Sequence, residues 1–216
     1  MYAALAAYAG ATTAALAALG PVAALLYKAR RDLRAMRRVL HEDELTGMAN
    51  RRAYHAYLDG ARDRRRSVAI ALIDLDQFKS INDRFGHHAG DQVLRQVAAR
   101  LRGLRHAVGL SARLSGDEFV LVIDDAAAAG AVARRVWVLI SAVPFAVGHE
   151  RLHVTASIGV AQVADCGYHR VLHSADLAMY QAKMTGAGIY MHRGGRLPAA
   201  SPQAARNPVD RQRIAA

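Results

Sequence analysis

The longest stretch without a charged side chain covers residues 2–27, at the start of the chain. As an α-helix it would extend about 39 Å, more than the ~30 Å hydrocarbon core of a bilayer requires. Six Lys and Arg residues follow within 28–38, against the single acid Asp32. By the positive-inside rule this basic cluster stays in the cytoplasm. We therefore expect residues 1–27 to be a single-pass transmembrane anchor in the cytoplasmic (inner) membrane, with the rest of the chain in the cytoplasm.

Two other interpretations of this apolar run are open. A cleaved signal peptide would carry positive charge before the run, and none is present. The run could also be a buried helix of a soluble protein, since its composition is dominated by Ala rather than by larger apolar residues.

Residues 28–44 are predicted to form a basic helical linker. Leu33, Met36 and Leu40 follow the spacing i, i+3 and i+7, which gives one narrow apolar stripe. Such a stripe fits a short dimerising seam, and it fits equally well a solvated connector with a few apolar side chains. Two heptads do not distinguish the two.

From residue 45 onwards, helical and strand periodicities alternate, which predicts a mixed domain over 45–191. The predicted helices are 50–60, 88–105, 126–142 and 175–185, and the predicted strands are 67–73, 111–114, 118–123, 153–161 and 188–191. The strand at 67–73 is an almost continuous apolar run, as expected for the buried centre of a sheet. Residues 192–216 lack periodicity and are expected to be a disordered basic tail.

The charge of the chain lies mostly in its flanks. The net charge is +11, but residues 39–191 hold 18 basic and 16 acidic residues. A nearly neutral central domain argues against nucleic-acid binding. The single cysteine, Cys166, excludes an internal disulfide and a cysteine-based zinc site.

Two groups of carboxylates could carry chemistry. The central strand ends at Asp74 and Asp76 and leads into a helical stretch, where free N–H groups and carboxylates together suit Mg²⁺ and phosphate. Asp117 and Glu118 lie in a predicted hairpin turn after Gly116. Taken singly, the first group could be helix caps and the second an exposed acidic turn. Together they supply enough carboxylates for one or two Mg²⁺ ions holding a triphosphate.

Five blocks, in order, resemble the GGDEF domain of diguanylate cyclases. They are DELTGMANRR (43–52), DLDQFKSINDRFGHHAGD (74–91), RLSGDEF (113–119), VTASIGVA (154–161) and ADLAMYQAKMTG (175–186). The resemblance covers about residues 41–191. It implies an α+β fold of the ferredoxin-like, nucleotidyl-cyclase type, with a central, mostly antiparallel sheet flanked by helices.

The resemblance also implies a catalytic centre. Asp74, the carbonyl of Leu75 and Asp117 would bind Mg²⁺, two ions per active site, with Mn²⁺ as a possible substitute. Glu118 would assist the metals or help to deprotonate the attacking 3′-hydroxyl.

GTP would be held by two further groups of residues. Asn82 and Asp91 would read the edge of the guanine base. Phosphates would be held by Lys79, Lys183 and the N–H groups around Gln77 and Phe78.

The implied reaction is the condensation of two GTP into cyclic dimeric GMP with release of two pyrophosphates. One GTP per subunit requires a homodimer. A catalytically silent module that binds GTP weakly and signals through protein contacts is the main alternative. A membrane-tethered DNA or lipid binder would explain the basic flanks but none of the five blocks.

The sequence departs from the family pattern at four places. Ser115 replaces the first glycine of the signature, and Gln77 replaces an apolar or aromatic residue. Ala187 stands where the family usually has an Arg, four residues after Lys183. The product-inhibition motif R-x-x-D is here His106-Ala-Val-Gly109, without either charged end. The resemblance therefore implies weak or absent feedback inhibition.

Overall fold

The computed structural model describes residues 2–192, apart from the side chains of 3–19, 34 and 37. By their internal contacts the residues form two compact units, Met1–Leu40 and His41–Ala216. The predicted disordered tail falls on 193–216, outside the described residues. The predicted domain limits at 27/28 and 44/45 are not tested and stay predictions.

The first unit is a single helix. Helix α1 (Tyr2–His41) runs without a break through Pro21 and through the predicted anchor–linker boundary. Among the described residues, no helix is both long enough and apolar enough to cross a membrane. The described residues therefore give no support to the predicted transmembrane segment. Most of that segment, 3–19, consists of residues whose side chains are not described. Leu33 and Met36 of the predicted stripe are exposed.

The second unit is built on a five-stranded sheet flanked by helices. Its elements are α2 (Arg51–Asp63), β1 (Ala69–Leu75), α3 (Phe78–Phe85), α4 (His87–Arg102), β2 (Leu110–Ser115), β3 (Glu118–Ile123), α5 (Ala129–Ser141), β4 (Phe145–Val147), β5 (Glu150–Leu152), β6 (Ala156–Gln162), α6 (Val163–Cys166), α7 (Val171–Thr185) and β7 (Ile189–Met191). The strand order of the sheet is β2-β3-β1-β6-β7. Three neighbouring pairs are antiparallel and the pair β6–β7 is parallel, so the predicted α+β fold with a mostly antiparallel sheet is confirmed.

Strand β1 is the centre of the domain, and all seven of its residues are buried. Its side chains alternate between two apolar layers, as the pleat requires. Ala71 and Ile73 pack into the core that α4 and α5 cover. Ile70 and Leu72 pack into the core that α2 and α7 cover. Since both faces carry helices, the apolar run of this strand is continuous rather than alternating.

The hairpin β4–β5 was not predicted from the sequence. Its strands have three residues each, too few for a periodicity to show. Side chains of α4 hold it in place. The amide of Gln96 donates to the carbonyl of Ala146 at 2.7 Å and accepts from its N–H at 3.1 Å. Arg100 donates to the carbonyls of Val143 and Pro144 at 2.7 and 2.8 Å.

Candidate active site

The candidate active site lies at the carboxyl end of β1. There Asp74 pairs in register with Glu118 on β3 and with Ser157 on β6. The antiparallel ladder therefore places two predicted catalytic carboxylates on adjacent strands. Asp74 is only 3% exposed, so its charge needs a partner in the protein.

Lys183, in the last turn of α7, is that partner. Its ammonium group lies 2.7 Å from the Oδ1 atom of Asp74. Residues 109 positions apart in the chain meet here because α7 packs across β1 and β6. The substituted position Ala187 is exposed in the loop between α7 and β7.

The turn between β2 and β3 carries the signature. Gly116 has a φ of +42°, a backbone conformation that glycine tolerates and most other residues avoid. Ser115 has no such requirement, and its hydroxyl donates to Oε2 of Glu118 at 2.8 Å. The departure from the family pattern thus occurs at the position that accepts a side chain, and the new hydroxyl orients the glutamate.

Asp117 is partly buried beside these groups. Burial, and next the nearby carboxylate of Asp74, raise the pKa of Asp117 to about 6. Lys183 and the backbone oppose this shift without cancelling it. Asp74 and Asp117 are therefore two interacting carboxylates, and the single positive charge of Lys183 offsets only part of their negative charge.

These groups fit a magnesium site that substrate completes. Nowhere in residues 2–192 do three acidic, histidine or cysteine side chains converge on one metal position. Mg²⁺ is commonly held by one or two carboxylates together with substrate phosphates. Asp74 and Asp117 provide such a pair, and the carbonyl of Leu75, the last residue of β1, is an oxygen ligand of the right chemistry.

Asp76, the second acid of the Asp-x-Asp spacing, has hydrogen-bond partners on the other side of β1 from Glu118. Its side chain accepts hydrogen bonds from the hydroxyls of Thr155 and Ser157, both at 2.7 Å. Its N–H donates to the carbonyl of Thr155 at 2.9 Å. Asp76 therefore ties the end of β1 to the start of β6. Ser157, which has no place in the predicted chemistry, is part of this tie.

A second tie reaches the signature turn from the segment before α2. Arg113 donates to Asp43 at 3.0 Å and, from its Nε and a terminal nitrogen, to the carbonyl of Gly116 at 2.9 and 2.7 Å. Burial would raise the pKa of Asp43, but hydrogen bonds from Thr46 and Arg113 outweigh it and hold that pKa below its usual value. The sequence analysis assigned no role to Asp43 or Arg113, although both lie within the quoted blocks.

The start of α3 offers backbone donors. Gln77 precedes the helix with a φ of +54°, and in the described structure no side chain caps this end. The N–H groups of a helix's first turn and its dipole favour a phosphate there. Lys79 and Gln77 are exposed, whereas Phe78 is buried and anchors the helix. The role predicted for Gln77 thus falls on its backbone.

Asn82 on α3 lies against the start of α4, the helix that carries Asp91. Asn82 lies against Gly90, and Asp91 is the next residue of α4. Both are partly buried, so each can present a polar group to a bound base without being fully solvated. The predicted residues therefore form two groups, the carboxylate–lysine centre and this amide–carboxylate pair, joined by the start of α3.

Comparison with known proteins agrees with this geometry. The family model described as "Diguanylate cyclase, GGDEF domain" matches residues 40–188. The chain is 44% identical over 154 residues to the response regulator PleD of Caulobacter vibrioides. This match covers 67% of this chain and 34% of PleD. It is 33% identical over 154 residues to the diguanylate cyclase DgcS of Shewanella oneidensis, covering 68% of this chain and 51% of DgcS. The chain thus spans between a third and about half of these relatives.

Solved structures show the same fold. The coiled coil and GGDEF domain of DgcB from Caulobacter crescentus, in complex with c-di-GMP, superposes with a TM-score of 0.68 at 28% identity. That match covers 81% of this chain and 97% of the DgcB chain. The diguanylate cyclase SiaD of Pseudomonas aeruginosa, in complex with its activator SiaC, gives a TM-score of 0.63 at 30% identity over 85% of this chain and 74% of the other.

Replacing Asp117 with Asn should change how stability depends on pH in metal-free protein. The pKa of Asp117 is raised from 3.8 to about 6 in the folded state, so the folded protein binds this proton more tightly than the unfolded chain. In the wild type this group's contribution to the free energy of unfolding is largest below about pH 4 and is lost as the pH rises through about 6. Asn stays neutral at every pH. Between pH 4 and 8 the free energy of unfolding of Asp117→Asn should therefore rise relative to that of the wild type, by up to about 3 kcal/mol.

The measurement is urea unfolding in EDTA across that pH range. Asp63→Asn, an exposed carboxylate at the end of α2, is the matched control and should keep the wild-type profile. Parallel profiles for the wild type and Asp117→Asn would show that Asp117 ionises normally.

Proposed function

The chain belongs to the GGDEF family of diguanylate cyclases, and on that premise we propose that residues 45–191 condense two molecules of GTP into cyclic dimeric GMP with release of two pyrophosphates. The observation that carries the proposal is the meeting of Asp74, Asp117 and Lys183 at the end of β1. A buried carboxylate pair beside a lysine suits a metal-bound triphosphate better than any uncharged substrate.

The residues have separate tasks in this proposal. Asp74, Asp117 and the Leu75 carbonyl would hold Mg²⁺, or Mn²⁺ in its place, and the chemistry such an ion would supply is neutralisation of charge at the α-phosphate. Lys183 and Lys79 meet phosphate oxygens, together with the N–H groups at the start of α3. Glu118, oriented by the Ser115 hydroxyl, accepts the proton of the attacking 3′-hydroxyl.

Two subunits are needed for the reaction. Each subunit has one such centre in its described residues, and the product contains two nucleotides. We propose a homodimer in which the 3′-hydroxyl of each GTP attacks the α-phosphorus of the GTP held by the other subunit. Asn82 and Asp91 select guanine, since a carboxylate accepts from the N1–H and N2–H₂ groups while an amide supplies the complementary donor.

A catalytically silent GTP-binding module is the second candidate. Ala187 favours it, because the absent Arg removes one charge-assisted phosphate contact, about 1.5–3 kcal/mol of binding. Lys183 remains, and its contact with Asp74 keeps a cation at the site.

We also propose that the chain is attached to the cytoplasmic membrane by residues 2–27, with 28–216 in the cytoplasm. The support is the uncharged run followed by the basic cluster. Membranes from lysed cells should then retain the full chain after a wash with salt at about 1 M. At that concentration the Debye length is only ~3 Å, so proteins held to the membrane by charge alone are released. Full-length protein in the soluble fraction would contradict the attachment.

Purified full-length protein should produce cyclic dimeric GMP from GTP and Mg²⁺. Asp117→Asn should lower turnover at least about a hundredfold, because it removes a charged metal ligand from a buried site. The Asp63→Asn control should keep wild-type turnover. Chromatography of the products is the measurement. If folded, concentrated wild type yields no cyclic dimeric GMP, the silent candidate replaces this one.

Feedback inhibition by the product should be weak or absent. A high-affinity site for two phosphodiester charges needs fixed cations, and here His106 and Gly109 stand at the two charged positions of the motif, so its guanidinium fork is missing. The structure adds a steric reason at Gly109. A Cβ there would collide with the hydroxyl of Tyr57, which donates to Asp124 at 2.8 Å. An aspartate at this position would have to displace that pair.

The test is titration calorimetry of nucleotide-free protein with cyclic dimeric GMP, with GTP turnover measured in parallel. We expect affinity at least about a hundredfold below that of a family member with the charged motif, from two lost contacts of ~1.5–3 kcal/mol each. Submicromolar binding that lowers turnover and survives Asn82→Ala would show that other cations form the inhibitory site.

A further inference from the structure

We propose that Gly90 is a specificity-determining residue of the guanine pocket, because its missing side chain leaves the space in which the Asn82 amide is held. The inference rests on the proposed function, since it concerns the pair of residues proposed to select the base. It assigns a reason to a glycine that no turn or backbone strain requires.

The loop between α3 and α4 brings Asn82 and Gly90 together. Gly86 has a φ of +83°, and its N–H donates to the carbonyl of Asn82 at 2.8 Å, ending α3. The chain reverses there and α4 begins at once with His87. Gly90, one turn later, donates its N–H to the carbonyl of Gly86 at 3.3 Å and is buried. The first turn of α4 therefore packs directly on the last turn of α3.

The side chain of Asn82 occupies the place where Gly90 would carry a Cβ, and the ring of Phe78 lies beside it. Phe78 and Asn82 are four residues apart and so lie on one face of the helix. A Cβ on Gly90 would collide with Oδ1 of Asn82 and would lie 3.0 Å from Cζ of Phe78. The ring of Phe78 is buried, so the amide of Asn82 is the group that has freedom to move away.

The backbone gives no other reason for glycine here. Gly90 lies inside α4 and is absent from the described residues with positive φ. Glycine is one of the least favourable residues in a helix interior, and alanine is the most favourable. A change to alanine should therefore favour the helix locally while turning the Asn82 amide out of its position. Asp91, the next residue along α4, keeps its own backbone position in this change.

Replacing Gly90 should therefore affect the preference for guanine without lowering the stability of the protein. A residue that only fills the core would lower the melting temperature when replaced, and would affect all nucleotides alike. Gly90→Ala should instead leave the melting temperature unchanged or higher and reduce the preference for guanine. Because Gly90 acts through Asn82, its replacement should have no further effect once the Asn82 amide is removed.

The experiment measures binding to the full-length protein with Mg²⁺ by titration calorimetry. The ligands are 3′-deoxy-GTP and 3′-deoxy-ATP, which lack the attacking hydroxyl and so cannot condense. The variants are Gly90→Ala, Asn82→Ala and the double substitution. Gly60→Ala in α2 is the matched control, since it makes the same change in a helix interior where a Cβ meets only the flexible end of Arg64, at 3.3 Å.

We expect Gly90→Ala and Asn82→Ala each to weaken 3′-deoxy-GTP binding about tenfold or more, the effect of one lost hydrogen bond. Binding of 3′-deoxy-ATP should change little, and the double variant should match Asn82→Ala. Gly60→Ala should bind both ligands as the wild type does.

Three results would overturn the inference. Wild-type guanine preference in Gly90→Ala would show that the amide does not depend on this glycine. A full additional loss in the double variant would show that Gly90 acts by another route. If the wild type itself does not prefer 3′-deoxy-GTP, the proposed function fails together with the inference, whereas the first two results leave it standing.

Discussion

The charge of Asp74 at the end of a fully buried strand is the constraint on which the site depends. Leaving water is costly for a carboxylate unless a cation or several donors replace the lost hydration. Lys183 supplies a cation at 2.7 Å, and it does so from a helix near the end of the domain. The resulting ion pair links the centre of the sheet to α7, so the fold of the whole domain must be complete before the site exists.

The negative charge of Asp117, unlike that of Asp74, is only partly compensated. Burial, and next the neighbouring carboxylate of Asp74, raise the pKa of Asp117 to about 6, and the charge of Lys183 does not cancel the two effects. This surplus of negative charge is a local cost in stability. Carboxylates with perturbed pKa values are common at functional sites, and this surplus of negative charge suits the divalent cation of the proposed function.

Two sets of hydrogen bonds keep the carboxylates in place. Asp76 joins β1 to β6 through Thr155 and Ser157, on one side of Asp74. Arg113 joins the signature turn to Asp43, on the other side. Neither set contributes a group to the proposed chemistry. Both fix backbone segments whose small displacement would move the reacting groups, which is how supporting residues govern catalysis.

The sequence by itself determined the longer strands and helices, since burial on both faces of β1 makes its run of residues continuously apolar, and burial of one face of α4 repeats apolar residues at helical spacing. It also determined the family, because the five blocks combine residue type with spacing. It did not determine the three-residue strands β4 and β5, which hydrogen bonds from Gln96 and Arg100 hold in place. It did not reveal the role of Asp76, because an Asp-x-Asp spacing does not show that the second side chain has hydroxyl partners 79 and 81 positions away. Only the tertiary structure decided that Ser115 is tolerated while Gly116 is required, and that Gly90 faces Asn82. Those outcomes depend on a backbone angle and on contacts between separate elements, and neither produces a repeating pattern of residues in the sequence.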